Sequence, residues 1–130
     1  MPLLLAAATL HPELLRRGLR MRTDIVCETG EVWDVHHLAT LIGYGVSAVH
    51  PYLSLQAASS LAGTRGYEEA APEQLQTNYI KALEYGFLKV CSKMGISTAS
   101  GYRGAQIFEA IGVSKEIIAS ETACAVLNDS

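Results

Sequence analysis

The loop between residues 97 and 103 holds the side chains best suited to bind a ligand. Two serine hydroxyls, a glycine and a guanidinium come together in sequence there, contributed by Ser97, Ser100, Gly101 and Arg103. Backbone amides at the start of a helix attract anions, and an arginine adds a bidentate grip on phosphate or carboxylate. These four residues therefore form a candidate anion-binding loop. The alternative is a structural loop in which Arg103 pairs with Glu109 or with a backbone carbonyl.

Histidines offer a second chemistry, either metal binding or acid-base catalysis. His36 and His37 are adjacent in a predicted helix, so their side chains point about 100° apart and do not converge on one ion. No Asp or Glu stands four residues after either one. We predict that His37 is partly buried and bonded to a backbone carbonyl. His50 lies at a predicted strand end, a good position for a functional imidazole, but the sequence names no partner for it.

The three cysteines define no metal or reactive site in the sequence. Cys27, Cys91 and Cys124 are widely separated, so they match neither a zinc-ligand spacing nor a disulfide framework. None has an obvious general base beside it, which leaves nucleophilic catalysis unsupported. Cysteines used in this way favour a reducing compartment, and we expect a cytoplasmic protein.

The segment from Gly43 to Ala48 superficially matches the dinucleotide-binding fingerprint, with alanine in the last position. The true fingerprint follows a strand and opens a helix, so that the pyrophosphate rests on a helix N-terminus. Here the order is reversed, because the glycines follow a predicted helix and lead into a predicted strand. We therefore interpret Gly43 and Gly45 as turn residues.

Length and composition exclude several classes of protein. A chain of 130 residues with 49% hydrophobic content can form one domain with a real core. A net charge of −3 and a pI near 5.8 lack the basic footprint of a nucleic-acid-binding protein. No stretch approaches the roughly 18 apolar residues of a membrane span, and the apolar opening lacks the basic start of a signal peptide. We expect neither nucleic acid nor a membrane as partner.

Helices and short strands alternate along the chain and must position these residues. Strands are predicted at 23–28, 47–50 and 96–97. Helices are predicted at 3–17, 35–42, 52–61, 72–94, 104–110 and 115–119. Asp34 is the predicted N-cap of the second helix, Gly86 is a candidate break in the fourth, and segment 62–71 is the predicted exposed loop.

The alternation of strands and helices places the chain in the α/β class. Each helix must cover the sheet face exposed by its neighbouring strands, so the strands should pair in parallel through right-handed crossovers. We predict a small, mostly parallel sheet. The first helix is apolar nearly all round at its start and would need burial on several sides. We expect exposed apolar patches and self-association through them.

Six short sequence motifs, taken in order, resemble the large subunit of glutamate synthase. They occupy residues 35–37, 41–45, 48–53, 78–82, 92–97 and 102–110. Their order and spacing are similar, over roughly residues 2–118, to the later part of that family's central domain. His50 stands where the family usually has asparagine, and Cys91 where methionine is common. We divide the chain into a glutamate-synthase-like α/β unit at 1–118 and a divergent tail at 119–130.

The resemblance implies an enzyme that releases ammonia from glutamine, adds it to 2-oxoglutarate and reduces the product to glutamate. That family uses FMN and an iron–sulfur cluster, and its central domain is a barrel-like α/β unit, so we expect a partial-barrel-like layer here. The domain connects the glutamine amidotransferase domain to the FMN-binding domain, which would be the partners. The family's catalytic cysteine and its flavin and cluster ligands lie in those other domains. No catalytic, cofactor-binding or metal-binding residue is therefore carried over to this chain.

Two functions remain open from the sequence. The leading hypothesis is a fragment of the glutamate synthase central domain that serves as a structural connector and is not catalytic alone. The alternative is an independent small-molecule or anion-binding α/β domain that uses the loop 97–103.

Overall fold

The computed structural model describes residues 3–105, 107–109 and 111, and the sequence-derived alternation of elements is present in it. The helices are α1 (Leu3–Arg16), α2 (Val35–Gly43), α3 (Tyr52–Ser60), α4 (Pro72–Lys93) and α5 (Ala99–Tyr102), with a short 3-10 helix at Arg20–Arg22. The strands are β1 (Val26–Glu28) and β2 (Ala48–His50). The α/β class is confirmed.

The sheet is a parallel pair joined by α2, which makes one β-α-β unit. Val26 lies opposite Ala48, and Glu28 lies opposite His50. Among the described residues the sheet has these two strands and does not close on itself. The small parallel sheet is thus confirmed, while the size of the predicted sheet was overestimated by one strand.

The predicted strand at residues 96–97 is wrong, because neither residue lies in a strand and Ile96 completes the end of α4. Gly95 takes a left-handed conformation (φ 70°). The N–H of Ile96 then turns back and donates to the carbonyl of Cys91 at 2.9 Å, as in a Schellman motif. An apolar residue that follows a glycine here packs against the helix it has just left.

The predicted helix at residues 104–110 is also wrong over its described part. A shorter helix, α5, forms earlier because Thr98 is its N-cap and accepts a hydrogen bond from the N–H of Gly101 at 3.1 Å. Gly104 has φ 69° and donates its N–H to the carbonyl of Gly43 at 3.0 Å, which draws this segment against the end of α2. The predicted helix at 115–119 and the tail at 119–130 lie outside the described residues.

The core consists of two hydrophobic clusters on either side of α2. The first lies between α1, α2 and the sheet and contains Ala7, Ile25, Cys27, Val32, Leu41 and Val46. The second lies between α2, α4 and α5 and contains Ala39, Phe87, Cys91 and Tyr102. Leu38 packs against both clusters, so α2 joins them into one structure.

The first helix buries only one face. Ala7, Ala8 and His11 are buried, whereas Leu10 and Leu15 remain 45% and 49% exposed. The predicted helix is confirmed, and its expected burial on several sides is not found among the described residues. Exposed apolar side chains on this helix agree with the expected apolar patch, and self-association stays a prediction.

Gly86 does not break α4, which is continuous over its 22 residues. A Cβ atom at Gly86 would lie 2.3 Å from Cγ2 of Val35 in α2. The missing side chain therefore allows α4 to approach α2 closely. The glycine at position 86 is therefore explained by the close packing of α4 against α2. It does not mark the end of a helix.

Replacing Gly86 with alanine should destabilise the fold by about 1–3 kcal/mol, because the new methyl group has to displace the stiff side chain of Val35. Helix propensity alone would favour alanine by about 1 kcal/mol, so the sign of the effect identifies the cause. Urea unfolding followed by circular dichroism measures it. Ser92→Ala, on the exposed side of the same helix, is the control and should change stability by less than about 0.5 kcal/mol. A stabilised Gly86→Ala variant would contradict the close helix contact.

Candidate functional site

A buried arginine, Arg20, organises the polar centre of the structure. Only 8% of it is exposed, although it lies in the short 3-10 helix that follows α1. Its Nε donates to Nδ1 of His11 at 3.1 Å, and its Nη2 donates to the carbonyl of Gly45 at 2.9 Å and to Oγ of Ser47 at 3.0 Å. Its Nη1 donates to the carbonyl of Thr23. One side chain thus ties α1 to the segments that lead into both strands.

His11 fits against two glycines at this centre. A Cβ atom at Gly45 would lie 2.3 Å from the imidazole ring, and one at Gly104 would lie 3.2 Å from its Nε2. Gly45 also has φ 97°, a conformation that favours glycine. Burial lowers the pKa of His11, and the positive charges of Arg20 and Arg103 lower it further. Because its Nδ1 accepts a hydrogen bond from Nε of Arg20, this nitrogen carries no proton of its own, which favours the neutral form of His11.

Asp24 is the counterion shared by two arginines. Its Oδ1 lies 3.7 Å from Nη1 of Arg20 and 3.6 Å from Nη1 of Arg103. Ser47 donates to the same oxygen at 2.7 Å, and Arg103 donates to Oγ of Ser47 at 3.3 Å. The hydrogen bond from Ser47, followed by the charges of the arginines, lowers the pKa of Asp24. The carboxyl therefore stays ionised and neutralises part of the buried positive charge.

A cavity of about 620 Å³ opens beside this polar centre. Charged and apolar side chains both line it. The lining residues are His11, Leu15, Arg20, Met21, Arg22, Thr23, Asp24, Arg103 and Gly104. We call it the arginine pocket, because three arginines and one aspartate are among its lining residues.

The candidate anion-binding loop uses its donors internally. Ser97, Ser100 and Gly101 are exposed, but the N–H of Gly101 and the hydroxyl of Ser100 both donate to Oγ1 of Thr98, at 3.1 and 3.2 Å. Arg103 pairs with Asp24 and Ser47 rather than with Glu109 or a carbonyl. The structure therefore does not direct the guanidinium of Arg103 and the loop donors at one ligand. Anion binding by this loop stays a prediction.

The histidines that the sequence analysis considered for metal binding or catalysis lie at the surface. His37 is exposed, and its Nδ1 accepts a hydrogen bond from the N–H of Trp33 at 3.2 Å. The prediction that His37 is partly buried and bonded to a carbonyl is therefore wrong. Asp34 is confirmed as the N-cap of α2, since its Oδ1 accepts from the N–H groups of His36 and His37 at 2.7 and 3.0 Å. His50 is exposed at the end of β2.

The two described cysteines are buried in different clusters of the core. Cys27 belongs to the first hydrophobic cluster and Cys91 to the second. Burial raises the pKa of both thiols. In the part of the chain that the structure describes, no three His, Cys, Asp or Glu side chains converge to hold a metal ion. The described residues thus do not fit an iron–sulfur cluster. No helix among them is long and apolar enough to cross a membrane.

Sequence reasoning missed Arg20 and His11. One local signal was present, since Arg20 and Asp24 are four residues apart, a spacing that brings opposite charges together on a helical turn. A histidine that follows the apolar first half of a predicted helix was a second, weaker signal. The decisive partners, Gly45 and Ser47, lie 25 and 27 residues from Arg20 and could not be paired with it from the sequence.

Similarity to known proteins covers almost the whole chain. The family model for the glutamate synthase central domain matches residues 1–114. The chain belongs to this family. The resemblance of the six short sequence motifs to the glutamate synthase large subunit is confirmed.

Relatives of this central-domain chain include several large enzymes. The chain is 47% identical over 117 residues to the glutamate synthase [NADPH] large chain of Bacillus subtilis, covering 90% of the chain and 8% of that protein. It is 43% identical over 126 residues to the ferredoxin-dependent glutamate synthase of Pyropia yezoensis, covering 90% and 8%. It is 44% identical over 114 residues to the glutamate synthase [NADH] of Schizosaccharomyces pombe, covering 87% and 5%. The chain thus spans less than a tenth of the length of these relatives.

Replacing Arg20 with lysine should destabilise this central-domain unit by about 2–3 kcal/mol, because an ammonium group cannot reproduce the fork of buried hydrogen bonds. The positive charge is retained, so the loss reports the geometry of the network. Urea unfolding of the purified chain measures the change. Arg22→Lys, at an exposed neighbour, is the matched control and should be close to neutral. Equal stability of Arg20→Lys and the parent chain would contradict the structural role of the guanidinium.

The free energy of unfolding should fall as the pH drops below the usual His pKa of 6.5. In that range His11 binds a proton in the unfolded state but not in the folded state, where its pKa is lower. The loss continues until the pH reaches the lowered pKa of His11 in the folded state, and full stability lies above 6.5. Unfolding free energies measured from about pH 5 to pH 8 give the slope. His11→Gln should flatten the slope over that range, whereas His36→Gln, at an exposed position, should retain it. An unchanged slope in His11→Gln would assign the pH dependence to other groups.

Proposed function

We propose that this chain is part of a glutamate synthase central domain and acts as a structural connector between a glutamine amidotransferase domain and an FMN-binding domain. The observation that carries the proposal is the family match over residues 1–114. In the parent enzyme, glutamine and 2-oxoglutarate would be converted to glutamate, with FMN and an iron–sulfur cluster held by other domains. The chain would not be catalytic by itself.

The arrangement of the polar centre supports a structural role. Arg20 is almost completely buried and donates to four different residues, and the ring of His11 is enclosed by glycines. A side chain that donates from all three of its nitrogens in this way stabilises the fold, but it has little freedom to bind and release a substrate. Among the described residues, neither thiol lies in the exposed, electropositive surroundings that activate a nucleophile, because Cys27 and Cys91 are buried and have raised pKa values.

The names of the three relatives give three different electron donors, NADPH, ferredoxin and NADH. The chain is nevertheless similar to all three at nearly the same identity, between 43% and 47%. A segment that selected the electron donor would be expected to follow one of them more closely. We therefore place this segment away from the donor-specific part of the parent enzyme. The cytoplasmic location suggested by the cysteines stays a prediction.

A segment exchange tests the connector function in a complete enzyme. Residues 1–114 would replace the matching segment of the Bacillus subtilis large chain, and glutamine-dependent glutamate formation would be compared with that of the parent. We expect the exchanged enzyme to remain active, because a connector needs a conserved shape and does not need its own chemistry. A well-folded exchanged enzyme that releases ammonia from glutamine but forms no glutamate would contradict equivalence of the two segments.

The 130-residue chain alone provides the complementary test. After circular dichroism has verified helical structure, the chain should neither hydrolyse glutamine nor retain FMN absorbance after gel filtration. Robust glutaminase activity, or flavin that co-purifies in stoichiometric amount, would overturn the proposal that the chain is a connector without independent catalysis.

A further inference from the structure

We propose that the arginine pocket is a binding site for a small oxyanion, a carboxylate or a phosphate, attached to a short apolar body. This site differs from the candidate loop at residues 97–103, with which it shares only Arg103. The inference goes beyond the connector function and does not depend on it.

Charge is the first observation that supports this site. Arg20, Arg22 and Arg103 line the pocket, and Asp24 is the single carboxylate in its lining. His11 accepts a hydrogen bond from Arg20 and is neutral, so two positive charges remain in excess. The whole chain has a net charge of −3, so this positive surface is a local feature and not a consequence of a basic protein. A local excess of this kind attracts anions and is a reason to expect binding at this place.

The three arginines are not equivalent within the pocket. The donors of Arg20 are engaged by His11, Gly45, Ser47 and Thr23, so Arg20 contributes a fixed positive charge beneath the ligand. Arg22 is exposed and forms no ion pair with a described residue. A charged ligand would therefore receive its hydrogen bonds from Arg22 and Arg103.

Arg103 is the arginine that is best placed to change partners. Its contacts with Asp24 and Ser47 are long, at 3.6 and 3.3 Å, and its side chain is 32% exposed. Its Nε is buried and has no hydrogen-bond partner among the described residues. A buried donor without a partner costs free energy. A small rotation of the side chain toward the pocket would let an oxyanion accept from two N–H groups of the guanidinium in the bidentate geometry that arginine favours.

The size and lining of the pocket indicate an apolar part of the ligand. At about 620 Å³ the cavity is much larger than an inorganic anion and lies in the range of small-molecule sites. Leu15 and Met21 line the pocket and are 49% and 93% exposed. A short hydrocarbon or aromatic group would cover these side chains while the oxyanion reaches the guanidinium groups.

Binding of defined probes to the 130-residue chain tests the proposal. The probes are phenyl phosphate and benzoate, each compared with its counterpart that lacks the ring, inorganic phosphate and acetate. Isothermal titration at constant ionic strength gives the affinities, and backbone amide NMR shifts locate the site. We expect saturable binding of at least one ring-containing probe, tighter than its counterpart, with shifts concentrated at residues 15–24, 45–47 and 103–104. The tighter of the two ring-containing probes identifies the oxyanion as phosphate or carboxylate.

Matched arginine variants separate a defined site from general electrostatic attraction. Arg22→Gln and Arg103→Gln should each weaken binding about tenfold or more, as expected for the loss of a charge-assisted hydrogen bond. Arg65→Gln removes the same charge from the exposed loop between α3 and α4 and should leave the affinity unchanged. Arg22 is exposed and outside the buried network, so its variant tests the pocket even if Arg103→Gln does not fold.

Three results would overturn the proposal. The first is an absence of saturable binding by all four probes to the folded chain. The second is equal weakening in Arg65→Gln and Arg22→Gln, which would mean that only net charge matters. The third is a set of NMR shifts centred on residues 97–101, which would move anion binding to the loop predicted from the sequence.

Discussion

The hydrogen bonds of one buried guanidinium hold the structure together where three separate parts of the chain meet. Arg20 contacts α1 through His11, the approach to β1 through Thr23, and the approach to β2 through Gly45 and Ser47. A buried charge is costly unless it is paired and hydrogen-bonded, so every partner of Arg20 has to be in place. The position of α1 over the β-α-β unit therefore depends on this network as well as on the apolar contacts of the first cluster.

Glycines add to the stabilisation of the fold, because they leave room for side chains of neighbouring elements to pack directly against the main chain. Gly45 makes room for the ring of His11, and Gly86 makes room for Val35 between α2 and α4. Gly43 does the same for Phe108, whose ring a Cβ atom would meet at 2.4 Å. These contacts surround α2, which borders both clusters of the core. A close-packed interior of this kind is stiff, which agrees with the connector role proposed above.

Within the polar centre, the structural role and the proposed ligand-binding role belong to different arginines. Arg20 is buried and donates hydrogen bonds from all three of its nitrogens, whereas the side chain of Arg103 is 32% exposed and its Nε has no hydrogen-bond partner among the described residues. A connector can thus carry a site of its own without weakening the fold, because the charge that stabilises the core and the charge that meets a ligand belong to different side chains. If the pocket is occupied in the parent enzyme, its ligand would contact α1 and the 103–104 segment together, and so would bridge the two ends of the described chain.

Local patterns in the sequence determined the class of the fold, most element boundaries and the family. Asp34 caps α2 as predicted, because a cap depends on the residues next to the helix end. The same local reasoning failed at residues 96–97 and 104–110, where Gly95 and Gly104 turn the chain back onto α4 and α2. The polar centre was decided by the tertiary structure alone. The partners of Arg20 lie up to 27 residues away, and Arg103 meets Ser47 across 56 residues, distances at which side-chain periodicity carries no information. Only the folded chain brings these charges together, because packing of α1 on the β-α-β unit decides which polar groups are buried and must find one another.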